Sequence, residues 1–110
     1  MTKKTARILE RRLKDYGVYD PYVCEDNGFV NIESYPLSAS IMQVFRADEG
    51  PHASITIYDH SLARMGSNAK VDHEFTHFGQ DVLQRAAELL RAWHPEAYAR
   101  AKGQDALAGC

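Results

Sequence analysis

The sequence predicts an α+β fold in which an N-terminal helix, a four-stranded antiparallel meander and a long C-terminal helix follow in the order α-β-β-β-β-α. Three observations favour this class. Apolar residues recur at helical spacing near both ends of the chain, apolar and polar residues alternate along short segments between them, and turn residues separate those segments. The 110 residues are the length of one domain, so we expect 1–110 to share one core, with a loosely ordered tail at 104–110.

The first helix is predicted over residues 2–16. Four residues at helical spacing mark its buried side: Ala6, Leu9, Leu13 and Tyr16. Gly17 then stands where a helix end favours glycine in the left-handed conformation. The other faces of this helix carry six cations: Lys3, Lys4, Arg7, Arg11, Arg12 and Lys14. Because positive charge in the first turn opposes the helix dipole, the two lysines there indicate a role other than helix stability.

The first hairpin is predicted at Asn27-Gly28, because a two-residue type I′ turn needs positive φ at both positions and this dipeptide tolerates it. A two-residue loop there places Val23 opposite Ile32. Val23, Val30 and Ile32 then share one face of the hairpin, which we predict to be the core face.

A second pair of strands is predicted at Ser38–Arg46 and Ala53–Tyr58. In the latter strand, Ile55 and Ile57 alternate with hydroxyl-bearing residues, which is typical of a half-buried strand. Four short strands with short connections indicate an antiparallel meander. Its second face is left open by the sequence, to be either solvated or covered. A loop or helical turn is expected over 59–66.

The long C-terminal helix is predicted to begin near Ala69, with Ser67 or Asn68 as its N-cap. One apolar stripe at helical spacing marks its buried side: Val71, Phe75, Phe78, Val82, Ala86, Leu89 and Trp93. Pro95 is predicted to interrupt this helix, with a further short helix over 96–102. The two helices are expected to pack on one face of the sheet.

Composition excludes several classes of protein. Apolar residues make up 45% and charged residues 25% of the chain, as in a folded domain rather than a disordered one. A net charge of -2 gives no overall attraction to nucleic acid or to an anionic membrane. A charged start and the lack of a membrane-length apolar run predict a soluble, cytoplasmic protein. Cys24 and Cys110 do not make a disulfide framework, although a terminal thiol can pair with another molecule.

One stretch carries a recognisable chemical motif. His73-Glu74-x-x-His77 on a helix would place two imidazoles on one face, where they can share a tetrahedral zinc ion. The stretch His73-Glu74-Phe75-Thr76-His77-Phe78-Gly79-Gln80 resembles the active-site helices of thermolysin-like zinc peptidases. The resemblance implies His73 and His77 as zinc ligands and Glu74 as the general base. It covers about eight of the 110 residues.

The surroundings of this motif favour a second interpretation. On a helix, His73 and His77 lie roughly opposite the apolar stripe, on a side that reads as solvated. A zinc site also needs a third protein ligand, and no spacing marks one. The ligand candidates are His52, Asp59, His60, Asp105 and Cys110. Asp59, His60 and Ser61 have the residue types of a catalytic triad, but consecutive residues do not converge in that way.

Three functional hypotheses follow, from different classes. The first is a non-enzymatic protein that binds a macromolecular partner stoichiometrically, as do small inhibitors and adaptors encoded by phages and other mobile elements, and it needs no cofactor. Its tyrosines and arginines are residue types favoured as interface anchors: Tyr16, Tyr19, Tyr22, Tyr35, Tyr58, Arg7 and Arg46. The second is a zinc-dependent hydrolase that uses the motif at 73–77. The third is nucleic-acid or acidic-partner binding through the six cations of the first helix.

Overall fold

The computed structural model describes residues 1–48, 50–65, 70–77 and 81–108. The chain is α+β, and its predicted order of helix, antiparallel meander and helix is confirmed. The elements are α1 Lys3–Asp15, β1 Tyr22–Asp26, β2 Phe29–Ser34, β3 Leu37–Arg46, β4 Gly50–Asp59, a 3₁₀ helix His60–Met65, β5 Lys70–His77 and α2 Asp81–Ala108. The four predicted strands are β1 to β4, and β5 adds a fifth strand at the far edge of the sheet.

Helix α1 is capped at both ends by contacts that the sequence encodes locally. The Thr2 hydroxyl accepts a hydrogen bond from the Thr5 N–H at 3.1 Å, which satisfies one of the unpaired donors at the helix start. At the other end Gly17 has a φ of 90°, and the Val18 N–H donates to the Leu13 carbonyl at 3.0 Å. This is the glycine-terminated arrangement that the sequence predicts.

The first hairpin has the predicted turn and register. Asn27 and Gly28 have φ values of 52° and 83°, as a two-residue type I′ turn requires. Val23 pairs with Ile32. Val23 and Ile32 are 2% and 0% exposed, so the predicted core face is confirmed.

The sheet is a meander in which each strand pairs antiparallel with its neighbour in sequence, in the order β1-β2-β3-β4-β5. Both helices pack on one face of it, in a core that joins Leu13 of α1 and Leu90 of α2 to Ile55 and Ile57 of β4. Full burial of each such side chain stabilises the fold by about 1.5–3 kcal/mol. The expectation that the helices share one sheet face is therefore confirmed.

The helix predicted from Ala69 is wrong over its first part, because Lys70–His77 form β5. Val71 and Phe75 are four positions apart, and a spacing of four keeps residues on one side in both a helix and a strand. The polar residues at 70, 72, 74 and 76 alternate with a period of two, which favours a strand, and β4 supplies the backbone hydrogen-bond partner that a strand needs. The predicted N-caps Ser67 and Asn68, and the stripe residue Phe78, lie outside the described residues.

Helix α2 runs without interruption from Asp81 to Ala108, so the predicted break at Pro95 is wrong. Proline removes one helical hydrogen bond, but this helix continues to bury side chains beyond it. Leu90 before the proline and Ala97 and Ala101 after it are 1%, 1% and 3% exposed. Among the residues that the structure describes, no helix is long and apolar enough to cross a membrane.

Candidate functional site

The predicted zinc motif lies on a strand rather than on a helix. Four residues along a strand separate the backbone of His73 from that of His77 by about 13 Å, against about 6 Å along a helix. In the sheet register, position 73 stands opposite Thr56 and position 77 opposite His52. The helical geometry that placed both imidazoles on one zinc ion is therefore absent, although His52, a predicted third ligand, does stand opposite position 77.

Glu74, the predicted general base, is engaged in an ion pair with α2. Arg85 donates from Nε and Nη2 to the two carboxylate oxygens at 2.8 and 2.7 Å, and from Nη1 to Glu88 at 3.1 Å. The two hydrogen bonds from Arg85 lower the pKa of Glu74, despite an opposing contribution from burial. Glu74 stands opposite Ile55 of the core face, whereas alternation along β5 gives positions 73 and 77 to the other face. Glu74 fastens α2 to the edge of the sheet.

Two other predicted ligands have separate structural roles. Asp59 is 4% exposed, and its carboxylate accepts from the Ser61 N–H and from Arg100 Nη1, both at 2.9 Å. The His60 ring stands 2.9 Å from the Ser38 hydroxyl. Asp59 and His60 therefore have different hydrogen-bond partners and do not form a triad with Ser61. The side chain of Asp105 is not described, and Cys110 lies outside the described residues. No group of three His, Cys, Asp or Glu side chains that could hold a metal occurs among those the structure describes.

The six cations of α1 are all exposed, as predicted. Arg7 is paired: it donates from Nη1 to Glu10 Oε2 at 2.6 Å, and its guanidinium carbon lies 5.7 Å from the centre of the Tyr22 ring. Within the described part of the chain, the other five have no ion-pair partner. Helix α1 thus presents a basic surface on the outside of the fold.

The sheet face away from the helices is the largest surface that the sequence left undecided. We call it the open face, and its residues with described side chains are Tyr22, Cys24, Asp26, Phe29, Asn31, Glu33, Ser38, Ser40, Met42, Val44, His52, Ser54, Thr56 and Tyr58. By register, positions 46, 70, 73, 75 and 77 belong to the same face. Neither helix packs on it, since both belong to the core on the opposite side, although His52 and Ser54 on β4 are only 7% and 8% exposed. Its charged residues with described side chains are Asp26 and Glu33, and by register Arg46 and Lys70 also belong to this face.

The open face has a small, polar centre and an apolar end. Ser40 lies in the central strand and donates from its hydroxyl to the Asn31 side-chain oxygen at 2.7 Å. Thr56 is the partner of Ser40 on β4, so small side chains continue across the strands. Phe29 and Met42 are register partners toward the β1–β2 turn and remain 38% and 37% exposed.

A cleft opens at the other end of the open face, where β2 turns into β3. Its volume is about 320 Å³, and we call it the Glu33 cleft. It is lined by Glu33, Tyr35, Pro36, Leu37, Ser38 and His60. The alternation of serines and threonine with apolar residues along β3 and β4 was the signal in the sequence for the open face. No comparable signal marked the cleft, because its walls come from the β2–β3 turn, the strand ends beside that turn and the start of the 3₁₀ helix.

The tyrosines that sequence reasoning proposed as interface anchors are dispersed. Tyr22 lies at the edge of the open face at 48% exposure, and Tyr35 borders the Glu33 cleft at 55% exposure. Tyr19 belongs elsewhere, since its ring centre lies 4.9 Å from that of His94. Tyr16 packs against the core. Only some of these tyrosines can therefore contribute to one surface.

Comparisons with protein-family models, with curated proteins and with solved structures found no match to this chain.

Proposed function

We propose that this chain acts without catalysis, by stoichiometric binding of a protein partner to the open face of its sheet. The observation that carries the proposal is the composition of that face. Interface centres are depleted in charged side chains and enriched in aromatic residues and methionine. The centre of the open face follows that pattern, because its described side chains, such as Ser40 and Thr56, are uncharged. Exposed Phe29 and Met42 lie at one end of the face and Tyr22 lies at its edge.

The dimensions of the open face suit a small contact. Four spacings between five strands give a width of about 19 Å, and strands of five to ten residues give lengths of about 17 to 33 Å. The flat area of about 500 Å² is smaller than the roughly 800 Å² that one partner contributes to a standard interface, so we expect a contact at the small end of the range.

The small side chains at the centre lower the cost of association. Serine and threonine lose little rotamer freedom when a partner covers them, whereas lysine or glutamate would lose about 1.5–2 kcal/mol each. They also let the partner backbone come close to the strands. The Ser40 hydroxyl, which donates to Asn31, can still accept a hydrogen bond from a polar partner surface, and the apolar end supplies buried area.

The test is a pair of arginine substitutions on opposite faces of β3. Ser40→Arg places a long cation at the centre of the open face, and Gln43→Arg places the same cation on the exposed end of the other face. We expect affinity capture from the source cell to recover a partner with the wild-type chain and with Gln43→Arg, but not with Ser40→Arg. Calorimetry on the purified pair should then give one partner per chain.

Two outcomes would contradict the proposal. If Ser40→Arg, with an unchanged circular dichroism spectrum, binds the purified partner as well as the wild-type chain does, the open face is not the contact surface. If no partner is captured while the purified protein turns over a substrate, the chain is an enzyme.

Nucleic-acid binding through α1 is a second candidate function, favoured by the five exposed cations that have no described ion-pair partner. Fluorescence anisotropy with labelled single- and double-stranded DNA and RNA would detect it. Phosphate contacts would give an affinity that falls steeply with salt and that is weakened by Arg11→Glu. Binding that is undetectable, or independent of salt, would remove this candidate.

A further inference from the structure

We propose that the Glu33 cleft is an arginine pocket, which receives a guanidinium group from the partner that covers the open face. The inference rests on the proposed function and deepens it, because it assigns the chemistry of the partner at one point. The cleft lies at the margin of the open face, where Glu33 and Ser38 are cross-strand partners. A partner lying on the face would therefore reach it without a change of the fold.

The floor of the cleft is apolar. Pro36 is buried and Leu37 is 1% exposed, so these two side chains give the floor almost no polar surface. The aliphatic stem of an arginine can lie against such a floor while its charged end stays at the polar walls.

The walls of the cleft match a guanidinium group in charge and shape. Glu33 is exposed, and within the described residues its carboxylate has no ion-pair partner. A carboxylate accepts two parallel hydrogen bonds from arginine. The Tyr35 ring, 55% exposed, offers a face on which a flat cation can stack. His60 and Ser38, hydrogen-bonded to each other at 2.9 Å, add polar groups on the third side.

Other ligands fit the cleft less well. An anion would meet the Glu33 carboxylate, and none of the lining residues is a lysine or an arginine. A neutral aromatic group would bury that carboxylate without a compensating charge. A lysine ammonium carries the right charge, but it is a compact point charge that does not bond in two places or stack in the same way.

A second cleft in the molecule provides an internal comparison. It has a volume of about 260 Å³ and is lined in part by Tyr19, Arg91 and His94. Its own arginine would repel a guanidinium. A probe that recognises the Glu33 cleft by charge should therefore leave this second cleft unchanged.

The test is an NMR titration of the whole ¹⁵N-labelled chain with small probes in place of the partner. N-acetylarginine amide should shift the backbone amide signals of the residues that line the cleft, Glu33, Tyr35, Leu37, Ser38 and His60, and saturate at millimolar concentration. N-acetylcitrulline amide, the uncharged analogue, should not shift them. E33Q should weaken arginine binding roughly tenfold, the size of one charge-assisted hydrogen bond. D26N, which removes the other acid of the open face, should bind as the wild-type chain does.

Equal shifts with the arginine and citrulline probes, or an E33Q titration that matches the wild-type one, would overturn the arginine pocket. This failure is distinct from failure of the proposed function. A partner that binds E33Q normally but not Ser40→Arg removes only the pocket. A partner that binds Ser40→Arg normally removes the open face as the contact surface, whatever the small probes do.

Discussion

At each edge of the sheet a glutamate forms an ion pair with an arginine, but the two glutamates have different structural roles. At the β1 edge, Glu10 comes from α1 and accepts the outward N–H of Val23 at 2.9 Å. At the β5 edge, Glu74 belongs to the strand itself and binds Arg85 of α2 through both oxygens. The first carboxylate satisfies a backbone donor of an edge strand, and the second fastens a helix.

The surroundings of the two carboxylates differ as well. The side chain of Glu10 is 11% exposed, whereas that of Glu74 is 30% exposed. Both pKa values are lowered, that of Glu10 first by the Val23 N–H and that of Glu74 first by Arg85. We therefore expect loss of the buried bond from the Val23 N–H to Glu10 to lower the free energy of unfolding more than loss of the partly exposed ion pair between Glu74 and Arg85.

The largest expected effect is at the β1 edge. Glu10→Ala removes the acceptor of a buried N–H, and an unsatisfied buried donor costs about 1–3 kcal/mol. We expect the free energy of unfolding, measured by urea denaturation, to fall by about 2 kcal/mol. Asp15→Ala removes an exposed acid from the end of the same helix and should change it by less than about 0.5 kcal/mol. Equal effects of the two substitutions would contradict this role of Glu10.

A smaller effect is expected at the β5 edge. Glu74→Ala should lower the free energy of unfolding by about 1 kcal/mol, because both partners remain partly solvated and the pair is screened. A double-mutant cycle with Arg85→Ala should give a coupling energy of similar size. A larger decrease in the free energy of unfolding for Glu74→Ala than for Glu10→Ala would contradict the ranking of the two edges.

Acid should weaken both edges. A glutamate whose pKa is depressed in the folded state stabilises the fold above its unfolded value of about 4.3, and this contribution is lost as pH falls through the folded pKa. Urea denaturation between pH 7 and pH 3 should show the free energy of unfolding falling below about pH 4.3. The deficit of Glu74→Gln relative to the wild-type chain should shrink over that range. If the stability deficit of Glu74→Gln stays constant down to pH 3, the ionised Glu74 carboxylate does not stabilise the fold as assigned.

The smallest expected effect concerns metal at the β5 edge. Because the strand separates positions 73 and 77 by about 13 Å, we expect no stoichiometric zinc in protein purified without a histidine tag. Elemental analysis by mass spectrometry would measure this. One zinc per chain that disappears in His77→Ala would contradict the expectation and favour the zinc hydrolase.

Sequence reasoning succeeded where structure is decided within a few residues. Asn27-Gly28 determined a turn and, with it, the register of a whole hairpin. Gly17 determined the end of α1 for the same local reason. It failed at Lys70–His77, where the period of apolar residues suits both a helix and a strand and the choice depends on β4.

The site could be predicted only in outline. Alternation along β4 implies two sheet faces, but which of them the helices cover depends on packing between distant segments. The hydrogen bond from the Val23 N–H to Glu10 joins residues 13 positions apart, and no pattern in either segment predicts it. The same holds for the Glu33 cleft, which exists because a turn and a 3₁₀ helix meet. These features belong to tertiary structure alone.

The register shift between β4 and β5 has a consequence for how the protein behaves at high concentration. One extra residue, Val71, interrupts the regular spacing of the outermost strand. A β-bulge of this kind bends the strand and disrupts its row of hydrogen-bonding groups, so another chain would pair poorly with this edge. At the opposite rim the same approach would have to displace a carboxylate. Both edge strands are therefore poorly suited to pairing with another copy of the chain, which disfavours aggregation by sheet extension.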